Sequence, residues 1–357
     1  MKIRSGRSRE IEEELDPPGG PPRARKRAAE PDYDHPLLTP LARAQEALAR
    51  LETKAEMASP AIAEGLRARL SYLEAAGWLR CAHVGIHPWD LALRDSGITG
   101  SYAAAAFGDR LRGELPSTVA QEGEFEVPPS DILVNNALRL ARLWRRIGEL
   151  RSWRPLKDAD TLSEALHSLG YGKRDGAEIA DWLDSIRLLE RGPVLIRAGR
   201  AARDWLNRAA ILPHDQAAYF VAACLWREKT AYGAIPLPFW SAPELYHHRL
   251  NLRIGLEWMA QFLDCVTEAA LTGLRELARL VEAERKRVDI GVTARSRLPD
   301  ALDAVLRAPV VTADSLAKTL RVSRRAALGL LQQLTADGFV REATGRSSWR
   351  AFILANY

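Results

Sequence analysis

Leu38, Leu41, Ala44, Leu48 and Leu51 recur at spacings of three and four along residues 37–55, which is the period of a helix with one apolar face. Ser59-Pro60 then opens a second helix that runs through Trp78, with Ser59 as cap and Pro60 in the first turn. Further helical patterns follow over 101–113 and 130–150, the latter capped by Ser130, and in shorter stretches at 160–169, 175–189, 197–208 and 214–228. A long pair, roughly 242–264 and 266–288, closes the series. Strand signals are scarce, the best being Gly192-Pro-Val-Leu-Ile196. The pattern predicts a mainly α protein whose helical domain spans residues 37–290, with a polar loop at 121–129.

The pattern changes near residue 295 and becomes self-consistent. Residues 299–307 read as a helix that Pro309-Val-Val ends, and Thr312 caps the next one with Asp314 at its positive end. Arg321-Val322 makes the turn, Val322 fills the space between helices, and Ser323 caps a third helix with Ala327, Leu330, Leu331 and Leu334 at inward spacing. Gly338 stands where a left-handed residue ends that helix. Phe339–Glu342 and Trp349–Ile353 alternate as two strands around a turn at 343–347. Three helices and a hairpin predict a winged helix-turn-helix over residues 295–357.

Charge sharpens this picture. From Arg295 to Tyr357 there are ten Lys/Arg against five Asp/Glu, so 10 − 5 = +5, which equals the formal excess of the whole chain. In a winged helix the third helix enters the major groove and the wing lies on the backbone. The residues expected to meet duplex DNA are therefore Thr312, Ser323, Arg324, Arg325, Leu328 and Gln332, with Arg346 at the wing tip. Leu328 and Gly329 in the middle of the exposed face point to backbone contact more than to rich base readout. Winged helices also serve as docking modules, and that alternative stands beside the first.

Composition narrows the classes. Residues 1–36 hold the Pro/Gly cluster 17–22, the basic run 23–27 and few apolar side chains, and they read as a disordered tail. Three widely spaced cysteines, Cys81, Cys224 and Cys265, sit among apolar neighbours, as expected for buried thiols in a reducing compartment. The N-terminus runs into acids instead of an apolar core, and no uncharged stretch reaches the ~20 residues that span a bilayer, so a cytoplasmic protein is expected. Most of the ten tryptophans fall inside helical apolar patterns and read as packing groups.

Catalytic chemistry is not evident. The seven histidines never pair with Cys, Asp or Glu at ligand spacing on one helix, so no metal or cofactor is expected. The glycines of 170–176 lie between helices and not after a strand, which makes them a turn and not a phosphate cradle. The polar stretch from His87 to Tyr102 places Asp90 and Arg94 at i and i+4 of a helix starting at Pro88, where an ion pair and a Gly97 cap account for it. A site made by Asp90, Arg94 and Asp95 would need those side chains to converge in a cleft.

Residues 310–323 and 334–346 resemble the winged helix that ends many Fic-type proteins, and Ile235–Ser241, Tyr246 and Trp258–Ala283 resemble the helices that close a Fic domain, over about 210–290. The Fic catalytic loop is missing: Ala209–Ala218 keeps a histidine, His214, without the asparagine, glycines and arginine. The resemblance thus implies a catalytically dead relative acting as an interaction or toxin–antitoxin-type module. Residues 37–357 resemble more closely a family of often plasmid-borne proteins of plant-associated bacteria, which pair a helical domain of unknown function with a C-terminal helix-turn-helix. Together these readings lead to an expected DNA-binding regulator that is a homodimer on double-stranded DNA and not an enzyme.

Overall fold

In the computed structural model, which describes residues 35–98, 131–148, 154–168, 176–188, 192–208, 216–229, 235–242, 255–286, 296–344 and 350–356, the periodic segments are helices. They are α1 (Leu38–Glu56), α2 (Pro60–Cys81), α3 (Pro88–Asp95), α4 (Asp131–Ile147), α5 (Ala159–Ser168), α6 (Gly176–Arg187), α7 (Val194–Arg208), α8 (Gln216–Lys229) and α9 (Leu256–Arg285). The hub is α2, which packs against α3, α4, α9 and the short 3-10 turn Phe239–Ser241. A helix touched on every side must be apolar all round, and α2 buries residues around its whole circumference. Ser59 Oγ accepts from Ile62 N at 3.4 Å and Pro60 occupies the first turn, as the sequence predicts.

Elsewhere α1 lies on α9 and α7 on α8. Aromatic rings fill the centre: Trp258 and Tyr219 flank Phe262 and Phe239, while Trp144 donates its Nε1 hydrogen to Leu237 O at 2.8 Å. The tryptophans at 144, 182, 205, 226 and 258 are all buried, so their role is packing. Cys81, Cys224 and Cys265 are buried and form no disulfide among the described residues.

Three expectations change. Val194-Leu-Ile196 is the first turn of α7 and not a strand: Arg197 N bonds back to Pro193 O at 3.1 Å, and three apolar residues without a partner strand join the inward stripe of Ala198, Ala201 and Trp205. The expected break near residue 265 is absent, because Cys265 and Val266 continue the buried face of one 30-residue helix and no Gly or Pro stands beside them. In α1 the buried leucine at the start is Leu37, while Leu38 is 42% exposed. The expected helix at 101–113, the loop at 121–129, the glycine cluster at 170–175, the tail at 1–34 and residues 243–254 lie outside the described residues.

The C-terminal elements are α10 (Leu298–Arg307), β1 (Val311–Thr312), α11 (Ala313–Leu320), α12 (Arg324–Ala336), β2 (Val340–Glu342) and β3 (Ala351–Leu354). The sheet order is β1-β3-β2, all antiparallel, with Val311 opposite Phe352 and Arg341 opposite Ile353. This is the topology of a winged helix-turn-helix, with a third strand where Pro309-Val-Val reads in sequence only as a break. Arg321 (φ 54°) and Gly338 (φ 74°) take the left-handed backbone that ends α11 and α12.

The described residues from Pro36 onward belong to one compact unit, and α10 is pressed onto α2. A Cβ on Gly65 would stand 1.9 Å from Leu306 O, so only glycine lets the two helices meet there. One turn on, the fully buried Arg69 donates from Nη1 to Leu306 O (2.7 Å) and Gly65 O (3.1 Å), and from Nη2 to Val305 O (3.3 Å) and Ala308 O (3.2 Å). Its charge faces the negative end of α10, where the last carbonyls need donors.

Candidate nucleic-acid interface

The turn between α11 and α12 is fixed by local chemistry. Thr312 Oγ1 accepts from Ser315 N at 3.0 Å, and Ser315 Oγ accepts in return from Thr312 N at 2.9 Å, a closed capping box. Ser323 Oγ accepts from Ala326 N at 3.2 Å and starts α12. Val322 is half-buried against the core, and Arg297 donates to Leu320 O at 2.8 Å, holding the end of α11. Ala327, Leu331 and Leu334 face inward, so the outer side of α12 carries Arg324, Arg325, Leu328, Gly329 and Gln332.

Thr312, Arg324, Arg325, Leu328 and Gln332 border one groove of about 840 Å3. Ser323 stands at its edge as a cap, and Arg346 lies outside the described residues. Arg324, Arg325 and Gln332 are exposed, whereas Leu328 is half-buried and packs against the core. Arg325 has no hydrogen-bond or ion-pair partner among the described residues. Arg324 Nε pairs with Asp314 Oδ1 at 3.0 Å, so one of the two cations is partly neutralised.

Two features of the groove are not visible in the sequence. Arg350, just before β3, lines it and adds a third guanidinium, with Glu342 Oε2 3.6 Å away. Ser96, Gly97 and Ile98, at the end of α3, form the facing wall. Alternation in β3 is a weak signal for Arg350; nothing local in the chain announces the wall.

Behind Ser96 a second cleft of about 670 Å3 runs between α2, α3 and α11 and is lined by Arg67, Tyr72, Asp95, Arg145 and Arg307. Asp95 is fully committed there: Tyr72 Oη donates to it at 2.6 Å, Arg142 Nη2 at 2.6 Å and Arg145 Nη2 at 3.4 Å. Burial opposes its ionised form, but the hydrogen bonds from Tyr72 and Arg142 and the charges of Arg142 and Arg145 outweigh that and hold the carboxyl below its usual range. The same burial, with Asp95 adding to it, pushes the Tyr72 hydroxyl far up, so it acts as a donor. Asp95 therefore belongs to a structural network with Tyr72, Arg142 and Arg145. Helix α3 does begin at Pro88, with His87 as cap and Gly97 (φ 76°) after its end. Among the described residues no three His, Cys, Asp or Glu side chains are grouped to hold a metal ion, and no helix is long and apolar enough to cross a membrane.

Residues 298–354, the whole of α10 to β3, match the family model described as "HTH DNA binding domain". A segment of 113 residues is 29% identical to the UDP-glycosyltransferase CGT of Oryza sativa subsp. indica, covering 30% of this chain and 23% of that protein. The chain thus spans under a quarter of that relative's length. The C-terminal domain is a helix-turn-helix of the DNA-binding kind, and the described residues before it are mainly helical.

Proposed function

We propose that the chain is a transcriptional regulator that seats α12 in the major groove of duplex DNA, works as a homodimer in the cytoplasm, and performs no catalysis. The observation that carries the reading is the groove itself: within a domain matched as DNA-binding, Arg324, Arg325, Gln332 and Arg350 collect on one face with Thr312 at the start of α11. Arginines at a helix N-terminus suit phosphates or one guanine edge. A half-buried Leu328 and a bare Gly329 in mid-helix leave few groups for base recognition, so intrinsic specificity is modest and a second subunit supplies the remainder. Arg346, placed by the sequence at the wing tip, serves as a backbone contact in this reading.

Docking of α10 on α2 through Arg69 dictates the form of the test. A fragment starting at residue 290 loses that cover, so the full chain is used. Fluorescence anisotropy of the full chain on mixed-sequence duplexes should show salt-sensitive binding that Arg324→Ala/Arg325→Ala weakens. No binding at about 50 mM salt, or the same affinity in the double variant, would overturn the reading. The Fic-type and plasmid-family resemblances rest on sequence alone, and His214 lies outside the described residues.

A further inference from the structure

We propose that the DNA-contacting surface does not end at the winged domain, and that the exposed face of α4 is a second backbone-contact site for the same duplex. The inference rests on the DNA-binding reading above and extends it to the helical domain. Asn135, Arg139, Arg142 and Arg146 are exposed and stand four, three and four residues apart. At about 100° per residue they fall within a sector of about 60°, and at about 1.5 Å per residue Arg139 and Arg146 are about 10 Å apart along the axis. The helix carries four arginines, at 139, 142, 145 and 146, against the single acid Asp131. The opposite face, with Val134, Ala137, Leu138, Ala141 and Trp144, is buried, so the cations stand on a rigid support.

What joins this stripe to the recognition helix is Asp95. Arg142 Nη2 and Nε bond to its Oδ1 at 2.6 and 3.2 Å, and the next residue, Ser96, is in the wall facing Arg324, Arg325 and Arg350. Ser96 and Asp95 also line the second cleft, whose far side is α11. The basic face of α4 thus begins where the groove wall ends. A helix in a major groove about 12 Å wide is flanked by phosphate backbones, which carry about one charge per 1.7 Å of duplex axis. Cations beyond the wall meet the flanking backbone; a stripe with no hydrogen-bond acceptors beyond Asn135 reads no bases and adds affinity without specificity. Arg139 has no hydrogen-bond or ion-pair partner among the described residues, so its contact with a phosphate breaks no bond to any of them.

The test measures salt-dependent anisotropy of the full chain on a mixed-sequence duplex for the wild type, Arg139→Gln/Arg146→Gln, Arg139→Lys/Arg146→Lys and Arg324→Ala/Arg325→Ala. Each lost phosphate contact lowers the slope of log affinity against log salt by about 0.9, so the glutamine pair should lower it by about 1.8. The lysine pair should restore it, and thermal unfolding should be the same in all. If the wild type binds and the recognition-helix variant weakens it while the glutamine pair leaves the slope unchanged, this proposal falls and the DNA-binding reading stands. If the full chain binds no duplex, both fall. A slope change on single-stranded RNA but not on duplex, or a loss that lysine does not restore, also overturns the α4 assignment.

Discussion

Arg69 Nη1 lies 2.7 Å from Leu306 O, and through that bond a fully buried guanidinium in the helical domain closes the end of the first helix of the winged domain. Four carbonyls and the negative end of α10 receive its guanidinium. Removing it leaves carbonyls of residues 305, 306 and 308 buried and unmet. Arg69→Met, which keeps most of the volume, should cost roughly 3–5 kcal/mol in urea unfolding. A loss under about 1 kcal/mol would mean that water reaches these carbonyls.

Gly65 and Gly329 both lie inside helices, yet alanine should act on them with opposite sign. A Cβ at Gly65 meets the backbone of Leu306 at 1.9 Å, and only separation of α2 from α10 relieves it. Gly65→Ala should destabilise by about 2–3 kcal/mol. Because it disturbs the same carbonyl that Arg69 uses, its effect and that of Arg69→Met should not add. A Cβ at Gly329 meets nothing within 4 Å, so Gly329→Ala should stabilise by about 0.5–1 kcal/mol through helix propensity. Thermal unfolding of the two single variants checks the pair.

The contrast shows what a sequence discloses. Caps and turns are local, so Thr312, Ser323, Gly338 and the outward Arg324 and Arg325 could be placed from neighbours three or four positions away. Arg69 could not: inside Gly65-Leu-Arg-Ala-Arg-Leu it reads as one more solvated cation, and the α10 carbonyls it meets are more than 230 positions distant. The same holds for β1, which gains meaning only when Phe352 pairs with Val311, and for the wall at Ser96–Ile98. Val194-Leu-Ile196 failed for the converse reason, since β-branched residues beside a proline look like a strand until the stripe continuing to Trp205 is counted. Of the candidate site, the cations of α12 were legible; the Asp314 pairing and Arg350 needed the fold.

Glu74 is fully buried, and among the described residues its Oε2 accepts from Trp240 N at 2.8 Å while Oε1 has no hydrogen-bond partner. Burial raises its pKa well above 4.5 against the modest pull of that hydrogen bond. The folded state therefore retains a proton that the unfolded chain loses, and this contribution to stability is present below about pH 4.5 and declines as pH rises beyond it. Glu74→Gln keeps an acceptor for Trp240 N and removes the titration. Its stability relative to wild type should rise steadily from pH 4.5 towards neutrality in urea unfolding; a pH-independent difference would refute the assignment.

His87 works in the other direction. Its Nδ1 accepts from Trp89 N at 3.2 Å at the start of α3, which requires the neutral ring, and burial, helped by Arg80, lowers its pKa to about 4 from 6.5. Its contribution is complete above about pH 6.5 and is lost as pH falls towards 4. His87→Asn supplies a cap that does not titrate. In that variant the fall in melting temperature between pH 6.5 and 4 should be smaller than in wild type.

Asp314 and Arg324 meet at 3.0 Å on the rim of the candidate groove, with both side chains substantially exposed. An exposed pair contributes little to stability, so its main effect is on charge available to a phosphate. Asp314→Asn frees Arg324 and removes a negative charge that would repel the DNA backbone. It should raise affinity at low salt and steepen the salt slope by up to about 0.9, at the cost of one acidic group in the first turn of α11. Anisotropy titrations over a salt series on one duplex decide the matter. An unchanged slope would show that Arg324 is held away from the backbone and would leave Arg325 and Arg350 as the cations that meet it.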